Sequence, residues 1–168
     1  LALRYFNVAG AQIGGNIGQI TKNSTHLIKV ACEAACGLRK VVPLYGTQYP
    51  TADGTCIRDY IHVDDLARAH VDGIRYLEAG GESHALNCGY GHGFSVREVL
   101  AMVQKVSGVH FPIEENPMRA GDSTAIVADA SRIRTLLNWK PQYDDLELIC
   151  KTAFEWEKKL LKKATLSP

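Results

Sequence analysis

The hydrophobic period of this chain switches repeatedly between strand-like and helical spacing, and that alternation limits the fold more than any single motif. Residues 1–6 (LALRYF) read as a strand that turns at Asn7 and Gly10, followed by a long polar, Gly- and Asn-rich loop over 12–23. Leu27, Val30, Ala31, Ala34, Ala35 and Leu38 then share one helical face that ends near Gly37. Residues 41–45 return to a strand, 47–55 are turn-rich through Pro50 and Asp53-Gly54, and 56–63 form a second strand-like run. Asp64 is placed to cap a helix whose Ala67, Val71, Ile74 and Leu77 share a face and which Gly80 and Gly81 end. A short strand at 84–88, a tight turn at Gly89, Gly91 and Gly93, and a Ser95/Glu98 capping box lead into a helix with Val96, Val99, Leu100 and Val103 on its stripe. Strand, helix, strand, helix is the grammar of an α/β protein with a mostly parallel sheet.

The last third is less regular. A brief strand at 111–113, a polar loop at 117–123 and an extended piece at 126–129 precede a short helix with Ile133 and Leu136. Asp144 and Glu147 are placed to cap a final helix whose stripe runs Leu146, Ile149, Cys150, Ala153, Trp156 and Leu160. With 168 residues, 46% of them hydrophobic, the chain can bury one core. Its formal net charge of +1 gives no global field toward nucleic acid or a membrane. Lys158, Lys159, Lys162 and Lys163 read as a solvated helix end. Cysteines at 32, 36, 56, 88 and 150 form no CxxC pair and read as free intracellular thiols, and the cytoplasm is the expected compartment. Cys32 and Cys36 share a helix face, but no second pair completes a metal site and none is expected.

Several polar residues stand where chemistry is possible. Asn7, at a strand tip, is either a turn former or a carboxamide facing a ligand at the carboxyl edge of the sheet. Arg58 lies inside an apolar run and needs an anion, either Asp59 or Asp64 as a structural partner or a phosphate as a ligand. Arg119 and Asp122 share the loop Met118-Arg119-Ala120-Gly121-Asp122; they are either a surface ion pair or a clamp in which Arg119 bridges diphosphate oxygens and Asp122 accepts from sugar hydroxyls. The glycines at 89, 91 and 93 lack the rest of any phosphate-loop pattern and suit a tight strand-to-helix turn. The histidines show no metal spacing, and His62 and His70 beside Asp64 lack a nucleophile elbow.

Taken together, residues 49–70 (YPTADGTCIRDYIHVDDLARAH), the preceding Leu3-Arg4-Tyr5-Phe6-Asn7 and the following Arg119-Ala120-Gly121-Asp122 closely resemble UDP-glucose 4-epimerases of the extended short-chain dehydrogenase/reductase family. The resemblance covers essentially all of the chain and is most specific over 49–70; the strand before Asn7 is shared with relatives that dehydrate, reduce or epimerise other sugar nucleotides. It implies the later strands and helices of a Rossmann-type parallel sheet, residues 1–15 and 59–108, plus a smaller mixed substrate-binding domain, mainly 16–58 and 109–168. It also implies that Tyr5 and Phe6 line the nicotinamide side of an NAD site and that Asn7 reaches the hexose. Leu27 then lies at the substrate, Tyr45 beside the uracil, and Arg58, Arg119 and Asp122 at the diphosphate and ribose. His26 departs from the family's usual asparagine, and Ile126 occupies a position that in relatives influences room for an N-acetyl group.

The implied reaction interconverts UDP-glucose and UDP-galactose by NAD-dependent oxidation and re-reduction at C4. Such chemistry needs a Tyr-x-x-x-Lys pair and a glycine-rich dinucleotide turn, and neither motif stands in this sequence. The expectation is therefore a C-terminal portion that is inactive alone, with the catalytic pair upstream of Leu1, apolar sheet surface and strand edges left exposed, and a homodimeric full-length enzyme. Two rival readings are another sugar-nucleotide epimerase or decarboxylase of the same superfamily and a non-catalytic remnant that binds UDP-sugar.

Overall fold

The computed structural model describes residues 1–166. The amino-terminal run forms β1 (Ala2–Tyr5) and, after a break at Phe6, β2 (Asn7–Ala9). The break lets one stretch of chain serve two neighbours. β1 pairs in parallel with β6 (Ala85–Cys88), and β2 pairs in parallel with β5 (Tyr60–His62). The run read as one strand over 56–63 is likewise divided, into β4 (Ile57–Arg58) and β5, at Asp59, whose amide donates to Ile126 while its carbonyl accepts from Asn7 and whose carboxylate accepts from the backbone amides of Tyr90, Gly91 and Ala128 at 3.0–3.2 Å. β4 lies between β9 (Ala125–Ile126), parallel, and β7 (Phe94–Ser95), antiparallel. β3 (Val42–Tyr45) pairs in parallel with β8 (Ile113–Asn116). The strand expected at 111–113 thus starts where that reading ends, since Phe111 is buried in the core and the carbonyl of Pro112 accepts from Val42 before the ladder begins. The α/β class and the parallel pairing hold, but the described strands form short separate ladders rather than one broad sheet.

Local rules place the helices well. α1 (Leu27–Ala35) stops in a Schellman turn, with Gly37 at φ +76° and the amides of Gly37 and Leu38 bonded to the carbonyls of Ala34 and Glu33. Leu38, read as part of the buried stripe, falls beyond that turn and is 54% exposed. α3 (Val96–Ser107) carries the expected capping box, Ser95 Oγ accepting from Glu98 N at 3.0 Å and Glu98 accepting from Ser95 N at 2.7 Å. α4 (Ser131–Leu136) buries Ile133. α5 (Leu146–Leu166) packs on α1 and α3 through Ile149, Cys150 and Phe154.

Two caps differ from expectation. In α2 (Val63–Glu78) the cap is His62, whose Nδ1 accepts from Asp64 N at 3.1 Å; Asp64 sits inside the first turn and accepts instead from Ile13 N at 3.0 Å. At α5 the cap is Asp145, accepting from Glu147 N at 2.8 Å, because Asp144 is drawn 2.7 Å from His92 Nε2. The buried face of α2 also differs. The helix approaches the strands through Leu66, Ala69 and Gly73, whose missing Cβ leaves room for Leu1, while Val71, Ile74 and Leu77 are 46%, 57% and 40% exposed. Small residues permit the closer approach, so they decide the packed face over the larger apolar stripe. With β1 paired, among the described residues, only to β6, this leaves an apolar helix face and an open strand edge. All five cysteines are free thiols. Burial pushes those of Cys88 and Cys150 up to about 12, so they pack as neutral side chains.

His62 carries a pH dependence. It is fully buried, and with Nδ1 accepting from Asp64 N its proton sits on Nε2, 3.3 Å from Thr152 Oγ1. Burial lowers its pKa, so in acid the unfolded imidazole takes a proton that the folded one refuses. Stability contributed by this site is full above an unfolded pKa of about 6.5 and falls as pH drops below it. Urea unfolding at pH of about 7.5 and 5.5 should show the loss, and the difference should shrink in His62→Gln.

Candidate functional site

Where β1 meets β2 the molecule opens a cleft of about 1090 Å³. Tyr5, Phe6, Asn7, Leu27, Tyr45, Arg58 and Arg119 all line it, so the structure brings together residues spread over more than a hundred positions. Asn7 donates from Nδ2 to the carbonyl of Asp59 at 3.1 Å, which fixes the carboxamide at the strand tip. Asp122 is not among the residues that line the cleft. Its carboxylate instead braces both arginines, lying 2.9 Å from Arg119 Nε and 4.0 Å from Arg58 Nη2. Ile126 is the ladder partner of Arg58 on β9 and is likewise absent from the lining.

The local carboxylates considered for Arg58 are both engaged elsewhere. Asp59 is consumed by the amides of the glycine turn and of Ala128, and Asp64 by Ile13. Arg58 donates from Nη1 to the carbonyls of Ile57 and Ser123, each at 2.8 Å, and its side chain is only 14% exposed. Arg119, 58% exposed, stacks with Cζ 4.9 Å above the ring of Tyr45. Two guanidinium groups therefore share one carboxylate, which leaves an excess positive charge at this corner of the cleft. The start of α1 adds to it. His26 makes no side-chain cap, and His26, Leu27, Ile28 and Lys29 line the same cleft. By contrast α2 and α3 have capped ends. Uncapped amides at a helix N-terminus favour an anion.

The glycine turn is not a second anion cradle. Gly91 takes φ +90°, and a Cβ at Gly89 would lie 2.6 Å from Asp59 Oδ2, so the amides that could have gripped a phosphate already hold a carboxylate of the chain.

Sequence reasoning missed several cleft residues. Tyr60 pairs with Asn7 across β2 and β5 and lines the cleft; its spacing of two from Arg58 in an extended run was the available signal. Lys29 and Glu157 also line it, and nothing local connects them. Lys29 Nζ lies 2.5 Å from Glu157 Oε1 and 3.0 Å from Glu33 Oε1, and Glu33 Oε2 accepts from Arg39 Nε at 2.5 Å. Burial works against the charge on Lys29, but the bonds to Glu157 and Glu33 outweigh it and raise the pKa. Burial likewise opposes ionised Glu33, and Arg39 and Lys29 outweigh it and lower the pKa. Lys29 and Glu33 therefore stay charged across the neutral range.

Comparison with known proteins decides the family. Residues 1–152 match the family model described as GDP-mannose 4,6 dehydratase. The chain belongs to that family. It is 52% identical over 158 residues to a UDP-glucose 4-epimerase of Azospirillum brasilense, covering 94% of this chain and 45% of that protein. A UDP-glucose 4-epimerase of Lacticaseibacillus casei is 46% identical, with 93% of this chain and 47% of that protein covered. Among solved structures, a UDP-glucose-4-epimerase from Stenotrophomonas maltophila with bound NAD and formylated UDP-arabinopyranose superposes with a TM-score of 0.91 at 37% identity, over 96% of this chain and 48% of that one. The UDP-Glc/GlcNAc 4-epimerase of Campylobacter jejuni superposes with a TM-score of 0.78 at 55% identity, over 94% of this chain and 47% of that one. The chain spans about half the length of the curated relatives it matches. No helix among the described residues is long and apolar enough to cross a membrane.

Proposed function

We propose that this chain is the sugar-nucleotide-holding part of an NAD-dependent UDP-glucose 4-epimerase, an isomerase that interconverts UDP-glucose and UDP-galactose through oxidation and re-reduction at C4. The observation that carries the reading is the pair Arg58 and Arg119 over the single carboxylate of Asp122, in one cleft with the uncapped start of α1. A diphosphate supplies the missing negative charge. In this reading Arg58 and Arg119 hold the diphosphate, Asp122 orients both from behind the cleft wall rather than reaching the ribose, Tyr45 lies beside the uracil, Leu27 lies at the substrate and Asn7 reaches the hexose. The close relatives and the neighbouring structures support the same substrate class.

NAD, when bound, supplies reversible removal of hydride from C4. Tyr5 and Phe6 offer it one wall of the cleft, but the residues of this chain do not fit it alone: the glycine turn is filled by Asp59, and no Tyr-x-x-x-Lys pair is present. The grip on the dinucleotide and the proton transfer then belong to a further portion of the enzyme, which the open edge of β1 and the apolar outer face of α2 would adjoin. The full enzyme is a homodimer in this proposal, and its free thiols suit the cytoplasm.

Calorimetric titration of UDP into the purified chain should give saturable binding, and Arg119→Ala should weaken it about tenfold, or ~1.4 kcal/mol. Absence of binding by the unmodified chain would remove the cleft from consideration. A coupled assay for UDP-glucose formed from UDP-galactose should show no turnover with this chain alone; measurable turnover would overturn the reading of it as incomplete.

A further inference from the structure

We infer that Arg39, Glu33, Lys29 and Glu157 form a positioning relay that holds the segment 24–27 against α5 and thereby sets how tightly the cleft binds an anion at the start of α1. The inference rests on the proposed nucleotide site, and its test separates the two. The relay is continuous. Arg39 Nη2 donates to the carbonyl of Ser24 at 3.1 Å, Arg39 Nε bonds Glu33, Glu33 bonds Lys29, and Lys29 bonds Glu157 on α5. Ser24 stands two residues before His26, where the uncapped helix begins. The preceding part of the loop is referenced to the same stretch of α5, since Trp156 Nε1 donates to the carbonyl of Gln19 at 2.9 Å.

Cohesion alone does not call for these charges. α1 and α5 already meet through Cys32, Ala31, Ile149, Cys150 and Phe154, and removing two ions from water costs several kcal/mol each. Lys29 and Glu157 are nevertheless 9% and 3% exposed. An apolar contact tolerates sliding, whereas a buried ion pair of 2.5 Å fixes distance and direction together. That property matters at this place, because hydrogen-bond donors aimed at a phosphate lose their effect when displaced by about 1 Å.

The test uses Lys29→Met/Glu157→Leu, which replaces the buried pair by apolar side chains of similar size and keeps the fold, and Arg39→Met, which frees Ser24 from the surface side. The double variant should melt within a few degrees of the parent chain or above it, by the usual outcome of replacing a whole buried pair, whereas Arg39→Met, which leaves Glu33 only Lys29 as a partner, should melt lower while remaining folded. Amide hydrogen exchange over 24–30 should quicken by about tenfold or more in each, and affinity for UDP should fall about tenfold. Folded variants with parental exchange over 24–30 would show that the relay positions nothing. Quickened exchange with parental UDP affinity would show that its positioning does not reach the ligand. If the unmodified chain binds no UDP, the nucleotide site fails, while the exchange arm still decides whether the relay holds the segment.

Discussion

Replacing Asp65 with alanine is expected to cost about 3–5 kcal/mol of folding stability, a large share of the roughly 5–15 kcal/mol available to a domain. The carboxylate is completely buried and accepts three bonds of 2.8 Å, from Tyr90 Oη and from the amides of Gln142 and Tyr143. The carbonyl of the same residue accepts from Trp139 Nε1 at 3.0 Å, and Tyr90 Oη accepts in turn from His62 N at 3.0 Å. One side chain thus joins the first turn of α2, the glycine turn and the connector into α5. Bonds to a charged acceptor contribute about 1.5–3 kcal/mol each, and alanine leaves the buried Tyr90 hydroxyl and the part-buried amides of Gln142 and Tyr143 without their acceptor. Their effects do not add fully, since all three share one group. Asparagine keeps one acceptor oxygen and should fall between. Urea unfolding checks the series, and an alanine variant within about 1 kcal/mol of the parent would show that the connector re-pairs its amides elsewhere.

Arg58→Ala should have the largest effect on ligand binding, about a hundredfold loss of UDP affinity or ~2.7 kcal/mol. The contrast with Arg119 follows from burial. Arg58 is 14% exposed and is oriented by the carbonyls of Ile57 and Ser123, whereas Arg119 is 58% exposed and screened by water. A preoriented, poorly solvated guanidinium interacts more strongly with an anion and loses less freedom on binding. Arg58→Lys should recover little, because an ammonium cannot hold two carbonyls and face a diphosphate at once. Titration of UDP into both variants decides the order. A larger loss from Arg119→Ala would move the centre of the site toward Tyr45.

Much of the fold was legible in the sequence, because local rules set it. The helix at 27–35, the capping box at Ser95 and Glu98, and the glycine stops at 37 and 80–81 follow from spacing, cap chemistry and φ preference, all within a few residues. The cap of α2 was misread because a histidine ring, rarely a cap, lies ahead of two acids that are statistically better ones. The candidate site was legible in part. Arg58 stood out as a cation in an apolar run, and Arg119 with Asp122 as a polar loop pair, but no local feature linked the two. Lys29 showed only its helical neighbour Glu33, since its stronger partner lies 128 positions away.

The sequence by itself determined where the chain is extended, where it is helical and where it must turn. Tertiary structure decided which face of α2 is covered, where the strands at Phe6 and Asp59 divide, and that two arginines share one carboxylate beside an uncapped helix. The physical reason is range. Periodicity and capping act within a turn or two of backbone, while burial and ion pairing are settled by whichever distant group closes the distance first in space, as Asp59 does with Ala128 across 69 positions.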